Sequence, residues 1–306
     1  MNKIVYFNGK FITEEKASVP ITTHALHYGT GCFEGIRAYY NKAHDALYIF
    51  RMEDHFKRLF RSCKVMHISL PNSVAKLCAI TRDLVRKNFS QTDIYIRPLA
   101  YKSDPAVGNF NLKNLRDGFL IYTVPLGRHL DTQKGIRANI SSWIRVSNNS
   151  IPPKAKISGS YANTSLAKTE SAIAGFDEAL MSDSKGNIVE GSAENIFIVK
   201  NNVLITPPAS DDILVGITRD TVKIIAKEKL KIITVEKSIS KKELYQADEV
   251  FLAGTGAEIA EIIEIDGKII GENKVKFAFS KINDIYLKMV HGELPEYMKY
   301  LTKIIK

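Results

Sequence analysis

Three short turn signals restrict this chain more than any other feature. Asn8-Gly9, Asn201-Asn202 and Asp266-Gly267 each separate two apolar runs, and Asn, Asp and Gly supply the positive φ angles of tight hairpin turns. Each predicts a local antiparallel pair, the first joining residues 4–7 to 10–13. Further strands are predicted over 38–40 paired with 47–50, then 93–100, 118–124, 136–146 and 249–253. Two more are predicted within 178–197, around Ser184-Lys-Gly-Asn187. Helices are predicted where apolar residues recur at three and four: 52–66 (Phe56, Leu59, Phe60 and Cys63 in one stripe), 73–87, 163–175 with Asn163 as N-cap, 214–230, 241–246 and 277–290. Strands outnumber helices and pair with neighbours. That implies an α+β chain of two unequal domains, not a doubly wound parallel sheet. The Pro125–Asp131 segment reads as the connection, giving a small domain over 1–124, a loop over 125–134 and a large domain over 135–306.

Composition removes several function classes. With 306 residues, 45% hydrophobic and 25% charged, the chain has the make-up of an ordinary globular protein and not of a disordered one. Its longest apolar runs, such as residues 118–124, are strand length and far short of a membrane span. The start Met1-Asn-Lys-Ile-Val-Tyr has no signal-peptide pattern, so the expected location is the cytoplasm. Cys32, Cys63 and Cys78 form no CxxC, which argues against a zinc site or a disulfide framework. The net charge of +10 comes from dispersed Lys and Arg without a nucleic-acid-binding motif, and anionic small ligands account for it as well.

Several stretches carry chemistry. In Ile151-Pro-Pro-Lys-Ala-Lys-Ile-Ser-Gly-Ser-Tyr161, Lys156 lies five residues before Tyr161. A short connection can bring this amine and phenol to one site, a pairing suited to an aldehyde cofactor held as a Schiff base. Gly216-Ile-Thr218 at a helix start and the turn Gly254-Thr-Gly256 after a strand both expose backbone N–H groups to an anion. Neither matches a Walker or dinucleotide fingerprint. Glu190 sits among small and apolar residues, where a carboxylate has a cationic partner, a raised pKa or an exposed position. Tyr95 and Arg97, two apart on a strand, face the same side and form either a carboxylate clamp or a half of an ion pair. Arg58 and Arg61 read as a solvated helix face unless an anion lies near.

The residues also carry a resemblance. Glu190-Gly-Ser-Ala-Glu-Asn-Ile-Phe197, Leu204-Ile-Thr206 and Leu214-Val-Gly-Ile-Thr-Arg219 resemble the signature of the fold type IV, or class IV, pyridoxal-phosphate aminotransferases. His27-Tyr-Gly-Thr-Gly-Cys-Phe-Glu-Gly-Ile-Arg37, Tyr95-Ile-Arg-Pro98 and Gly254-Thr-Gly-Ala257 are similar to the branched-chain-amino-acid subgroup. The resemblance runs from the first hairpin to the last helix. It implies a smaller N-terminal α/β domain, a larger domain with a β-barrel-like core, and pyridoxal 5'-phosphate as cofactor. Lys156 would be the Schiff-base lysine and proton shuttle, Tyr161 the partner of the cofactor's phenolic oxygen, and Glu190 the partner of its pyridine nitrogen. Arg58, Ile217, Thr218 and Thr255 would bind its phosphate.

The same resemblance implies transamination of L-leucine, L-isoleucine and L-valine with 2-oxoglutarate. Phe33, Tyr28, Tyr161 and Ala257 would form the apolar wall, with Tyr28 reaching from a neighbouring subunit. Arg97 would take the γ-carboxylate of glutamate. Tyr95 and the N–H groups from Thr255 through Gly256 to Ala257 would take the α-carboxylate. The chain departs from many bacterial relatives at Leu126-Gly-Arg-His129, where His129 stands in place of a tyrosine donor. The implied partners are amino acids, 2-oxo acids and further copies of the chain, as a dimer or larger (a hexamer included), with no metal, nucleic acid or membrane. The alternatives on this scaffold are a D-amino-acid or (R)-amine transaminase and an aminodeoxychorismate lyase. A basic binding protein without a cofactor is the alternative from another class.

Overall fold

The computed structural model describes residues 3–127, 134–272, 274 and 278–306; His129 and most of the expected linker lie outside these. Two compact units result. One joins Met1–Gly127 to Ala155–Gly159 and Met289–Lys306, and the other comprises Arg128–Lys154 and Ser160–Lys288. The units therefore interleave, whereas the sequence suggested consecutive domains over 1–124 and 135–306. The return of the C-terminus has a plain cause: Leu301–Ile305 pairs antiparallel with residues 46–50 of the first unit.

In the first unit, β1 (Ile4–Phe7) and β2 (Lys10–Thr13) form the expected hairpin, with Asn8 at φ 44° and Gly9 at φ 92°. Helix α1 (His24–Tyr28) stops at Gly29, which is left-handed at φ 63°. Then come β3 (Gly31–Phe33), β4 (Ile36–Asn41) and β5 (Ala46–Phe50), followed by α2 (Met52–Val65) and α3 (Val74–Lys87). Ser73 caps α3 by accepting from Lys76 N. Strands β6 (Ile94–Lys102) and β7 (Asp117–Pro125) pair along their full lengths. The antiparallel sheet runs from the C-terminal strand through β5, β4, β6, β7 and β1 to β2, with β3 also on β6. Phe56, Leu59 and Cys63 bury the expected stripe of α2.

The second unit opens on β8 (Ile136–Ile140), shorter than the predicted 136–146. Beyond it, Ser141 and Arg145 give their amides to Leu180 and Ser182 of the next strand, so the segment follows β9 without continuing the ladder. Helix α4 (Tyr161–Ile173) starts two residues before the expected cap, with Ser160 at N-cap. Asn163 turns back to the preceding segment, bonding Val146 N and Ile144 O. The predicted second strand of 178–197 is two strands. After β9 (Glu178–Ser182), β10 (Ile188–Gly191) reverses through Ser192-Ala193-Glu194 into β11 (Asn195–Lys200), and Glu190 opposes Asn195.

Next are β12 (Val203–Thr206), α5 (Ile217–Ile225) and β13 (Thr234–Glu236). Helix α6 (Lys241–Tyr245) carries a Ser240/Glu243 capping box. Strands β14 (Glu249–Gly254), β15 (Glu258–Ile265) and β16 (Lys268–Ile269) precede α7 (Ala278–Val290). Asn201-Asn202 and Asp266-Gly267 make the expected turns, with φ of 50°, 61°, 49° and 77°.

Six of the described strands close a ring in the order β10, β9, β8, β15, β14, β11, because β11 pairs back to β10. The β-barrel core implied by the resemblance is therefore present. Alternate residues of its strands, among them Ile196 and Ile198, Val250 and Leu252, and Ala260 and Ile262, bury into one apolar cluster. That is the two-residue period of a strand with one face in the core.

Candidate active site

In the first unit, Lys156 is fixed by its backbone before its side chain is considered. Its N–H donates to Ser62 Oγ of α2 at 2.9 Å, its carbonyl accepts from Phe33 N at 3.1 Å, and Ile157 bridges to Cys32. Gly159 donates to the carbonyl of Gly29; a Cβ on Gly29 would stand 2.6 Å from Gly159 Cα. The lysine segment is thus strapped along β3. Lys156 Nζ lies 4.9 Å from the centre of the Phe33 ring, and the Arg97 guanidinium lies 4.3 Å from the same ring. One aromatic ring holds both cations, as the quadrupole of a ring face allows.

Arg97 also donates to Tyr95 Oη at 2.7 Å, so the two side chains do share a face and a bond. Burial raises the Tyr95 pKa, opposed by the charges of Arg97 and Lys156. The phenol keeps its proton at neutral pH and can donate it onward. Gly35 makes room for it, since a Cβ there would meet Tyr95 Oη at 2.2 Å.

Arg58 is buried, unlike the exposed Arg61 three residues on. The anion that explains this is Glu34, fully enclosed, which takes Arg58 Nε at 2.7 Å and Nη2 at 2.8 Å. His55 Nδ1 completes the set at 2.7 Å from Glu34 Oε2. Burial by itself would raise the Glu34 pKa, but the charge and hydrogen bonds of Arg58, with those of His55, hold it well below the carboxylate range. His55 goes down: loss of solvent outweighs the pull of Glu34, and Arg58 and Lys156 add to the depression. It is neutral at pH 7, and because a carboxylate only accepts, its proton sits on Nδ1. Tyr28 belongs to another set, with its hydroxyl accepting from Gly108 N and its ring against His24 and Phe110.

In the second unit, Glu190 of β10 is buried and paired. Arg145 Nε stands 3.0 Å from Oε2, while Asn195 Nδ2 and Leu214 N each donate to Oε1 at 2.9 Å. Of the settings open to Glu190 in the sequence, the structure shows the cationic partner. Thr164, one turn into the helix that Tyr161 begins, donates to Ser192 O and accepts from Arg145 Nη1. Tyr161, half-buried, therefore starts a helix tied to the Glu190 hairpin.

Gly216 is the N-cap of α5, so Ile217 and Thr218 occupy its first turn at the positive end of the helix dipole. Thr255, Gly256 and Ala257 form the turn after β14. There Glu194 packs closely enough that a Cβ on Gly254 would meet its Cγ at 3.0 Å. Burial and then the charge of Glu178 push the Glu194 carboxyl up to about 8.

The amino-transferase class IV family model matches residues 31–265, which span both groups. The chain belongs to the class IV aminotransferase family. Among its relatives, a probable branched-chain-amino-acid aminotransferase of Aquifex aeolicus is 42% identical over 98% of this chain and 96% of its own. The crystal structure of a branched-chain aminotransferase from Thermoproteus uzoniensis with norvaline superposes with TM-score 0.94 at 42% identity, covering 99% of each chain. The branched-chain amino acid aminotransferase from Thermobaculum terrenum, in its PLP-bound holo-form, gives TM-score 0.90 at 36% identity over 99% of this chain and 98% of that one. The fold is fold type IV, and the chain is an aminotransferase of the branched-chain group.

Four residues of this aminotransferase escaped the sequence reading: Glu34, His55, Arg145 and Asn195. Glu34 and Asn195 lie inside motifs read for other residues, and a charged or amide side chain amid glycines and apolar neighbours was the available signal. Arg145 and His55 had none, since their partners are distant in sequence.

Proposed function

We propose that this aminotransferase exchanges the amino group between L-leucine, L-isoleucine or L-valine and 2-oxoglutarate, using pyridoxal 5'-phosphate. The donor types suit that cofactor: an amine for its aldehyde, a guanidinium and a helix start opened by glycine for its phosphate, and a buried carboxylate for its ring nitrogen. When bound, pyridoxal phosphate supplies an aldehyde that captures an amino group and a ring that takes up the electron pair left at the substrate Cα.

The chain's own residues do the rest. Lys156 Nζ would hold the cofactor through its aldehyde carbon and, once displaced there by the substrate amine, would carry the proton to and from the substrate Cα. Glu190, paired with Arg145 and two N–H donors, would accept the ring N–H, and Tyr161 would donate to the phenolic oxygen. Arg58, oriented by Glu34, would contact the phosphate together with the backbone of Ile217, Thr218 and Thr255. Phe33, Tyr161 and Ala257 wall the apolar part of the substrate pocket. Tyr95 and the turn through Gly256 take the α-carboxylate, and Arg97 takes the γ-carboxylate that only the acidic partner has. Tyr28 completes the wall from a second copy of the chain, so the working state is at least a dimer, and His129 adds a donor on the carboxylate side.

The cell compartment we propose is the cytoplasm. Among the described residues no helix is long and apolar enough to cross a membrane.

The observation that carries this reading is Lys156, pinned by Ser62 and Phe33 with its amine over the ring that also holds Arg97. The visible spectrum of the purified chain tests it. Added L-leucine should convert the cofactor band and 2-oxoglutarate should restore it. A response to D-alanine in place of L-leucine would move the assignment to a D-specific transaminase, and no coloured form at all would leave a binding protein.

Arg97→Ala tests the dual-substrate pocket. It should cost about 2–3 kcal/mol in kcat/KM for glutamate and 2-oxoglutarate, the size of a charge-assisted bond, and far less for leucine. Equal losses on both substrates would remove Arg97 from that role.

A further inference from the structure

Asn195 is unused by the assigned chemistry, yet it touches both ends of the second unit's site. It is 5% exposed at the start of β11. One proton of its Nδ2 goes to Glu190 Oε1 at 2.9 Å, the other to Leu214 O at 2.8 Å. Both partners are acceptors on this line, a carboxylate oxygen and a carbonyl, so the nitrogen must face them and the amide orientation is settled. Its Oδ1 then points at Gly216, where a Cβ would stand only 2.0 Å away. Leu214 N closes a small ring by donating to the same Glu190 oxygen at 2.9 Å. Two residues further on, Gly216 opens α5.

We propose that Asn195 is a positioning residue that registers the Glu190 carboxylate against the Leu214–Gly216 backbone, and so the ring-nitrogen partner against the phosphate-binding helix start. The proposal rests on the pyridoxal-phosphate reading and adds a residue to it. Two donors on Oε1 and Arg145 at Oε2 fix the plane of the carboxylate that would face the ring nitrogen. The same amide holds the carbonyl of Leu214 and leaves only a glycine's width at residue 216. A shift at one end is therefore transmitted to the other through a single side chain.

Asparagine is required as a donor, not as a filler. Aspartate has the same shape, but it would set acceptor against acceptor at both contacts.

The test compares Asn195→Asp, Asn195→Ala and Gly216→Ala with the native chain. Each is titrated in the apo form with pyridoxal 5'-phosphate, and the bound cofactor is read by nitrogen-15 and phosphorus-31 NMR. Thermal unfolding is measured alongside. Asn195→Asp should weaken cofactor binding about 10- to 100-fold, the size expected for losing a hydrogen bond to a charged group, and at least as much as Asn195→Ala. In both, the ring nitrogen should lose protonation and the phosphate signal should move.

Gly216→Ala, whose Cβ would press on Asn195 Oδ1 from the helix-start side, should disturb the ring nitrogen as well as the phosphate. It decides the matter if the Asn195 variants do not fold. Asn195→Asp binding within twofold of native, with unchanged ring and phosphate signals, would overturn the proposal, as would a Gly216→Ala effect confined to the phosphate. Failure of the native chain to bind the cofactor would instead overturn the reading on which it rests.

Discussion

Lys156→Ala is expected to abolish turnover while leaving the fold intact. The backbone contacts of residue 156, to Ser62 Oγ and Phe33 N, do not need the lysine side chain. What disappears is the amine over the Phe33 ring, an interaction worth about 0.5–2 kcal/mol, so the unfolding midpoint should move little. Catalysis loses both the covalent hold and the proton carrier. General acid–base transfer alone contributes about 10²–10⁴-fold, and kcat should fall at least about a thousandfold. Borohydride should link pyridoxal phosphate to the native polypeptide and not to the variant, even though Arg58 and the α5 start, the proposed phosphate contacts, are unchanged. Surviving turnover, or reductive fixation of the cofactor to the variant, would refute Lys156 as the residue that does the chemistry.

What was legible in the sequence was what is local. The turns at Asn8-Gly9, Asn201-Asn202 and Asp266-Gly267 follow from the φ preferences of two adjacent residues, and the α2 stripe follows from spacing along one helix. The ring of strands was legible only through resemblance. Its closure depends on a reversal at Ser192-Ala193-Glu194, a segment without glycine or proline to mark a turn, and on parallel pairing of β8 with β9 and β15. Parallel partners are distant in sequence, and no local pattern names them.

The site divides in the same way. Lys156, Glu190 and the Gly216 helix start sit in motifs and were legible. Charge partners were not, because Glu34 lies 24 residues from Arg58 and only the fold brings them together. Burying Arg58 in α2 against the strand end at Glu34 also shows why an arginine beside an apolar stripe need not be a solvated one. The guanidinium reaches the interior because its neutralising anion is already there.

Glu34→Gln should have the largest effect on stability, and an effect that depends on pH. In the native chain the carboxylate is enclosed with Arg58 on both oxygens and His55 on one. Gln keeps the shape but removes the charge, leaving the Arg58 guanidinium buried against an amide whose –NH₂ must face a donor. Breaking a buried pair in this way costs about 3–5 kcal/mol, which a urea unfolding series at neutral pH would read as a lowered midpoint.

The pH dependence follows from linkage. The folded-state pKa of Glu34 is depressed below its ordinary 4.5, so the unfolded chain takes up the proton first as pH falls. Stability from this group is therefore fully present above about 4.5 and drains away as pH drops toward the depressed folded value. The variant has no carboxyl to protonate at that position, so the gap between native and Glu34→Gln stabilities should be wide at pH 7 and narrow steadily below pH 4.5. A gap of constant size from pH 7 to pH 3 would mean that Glu34 stabilises α2 by packing and not by charge. Arg58 would then need another source of order for its proposed contact with the phosphate.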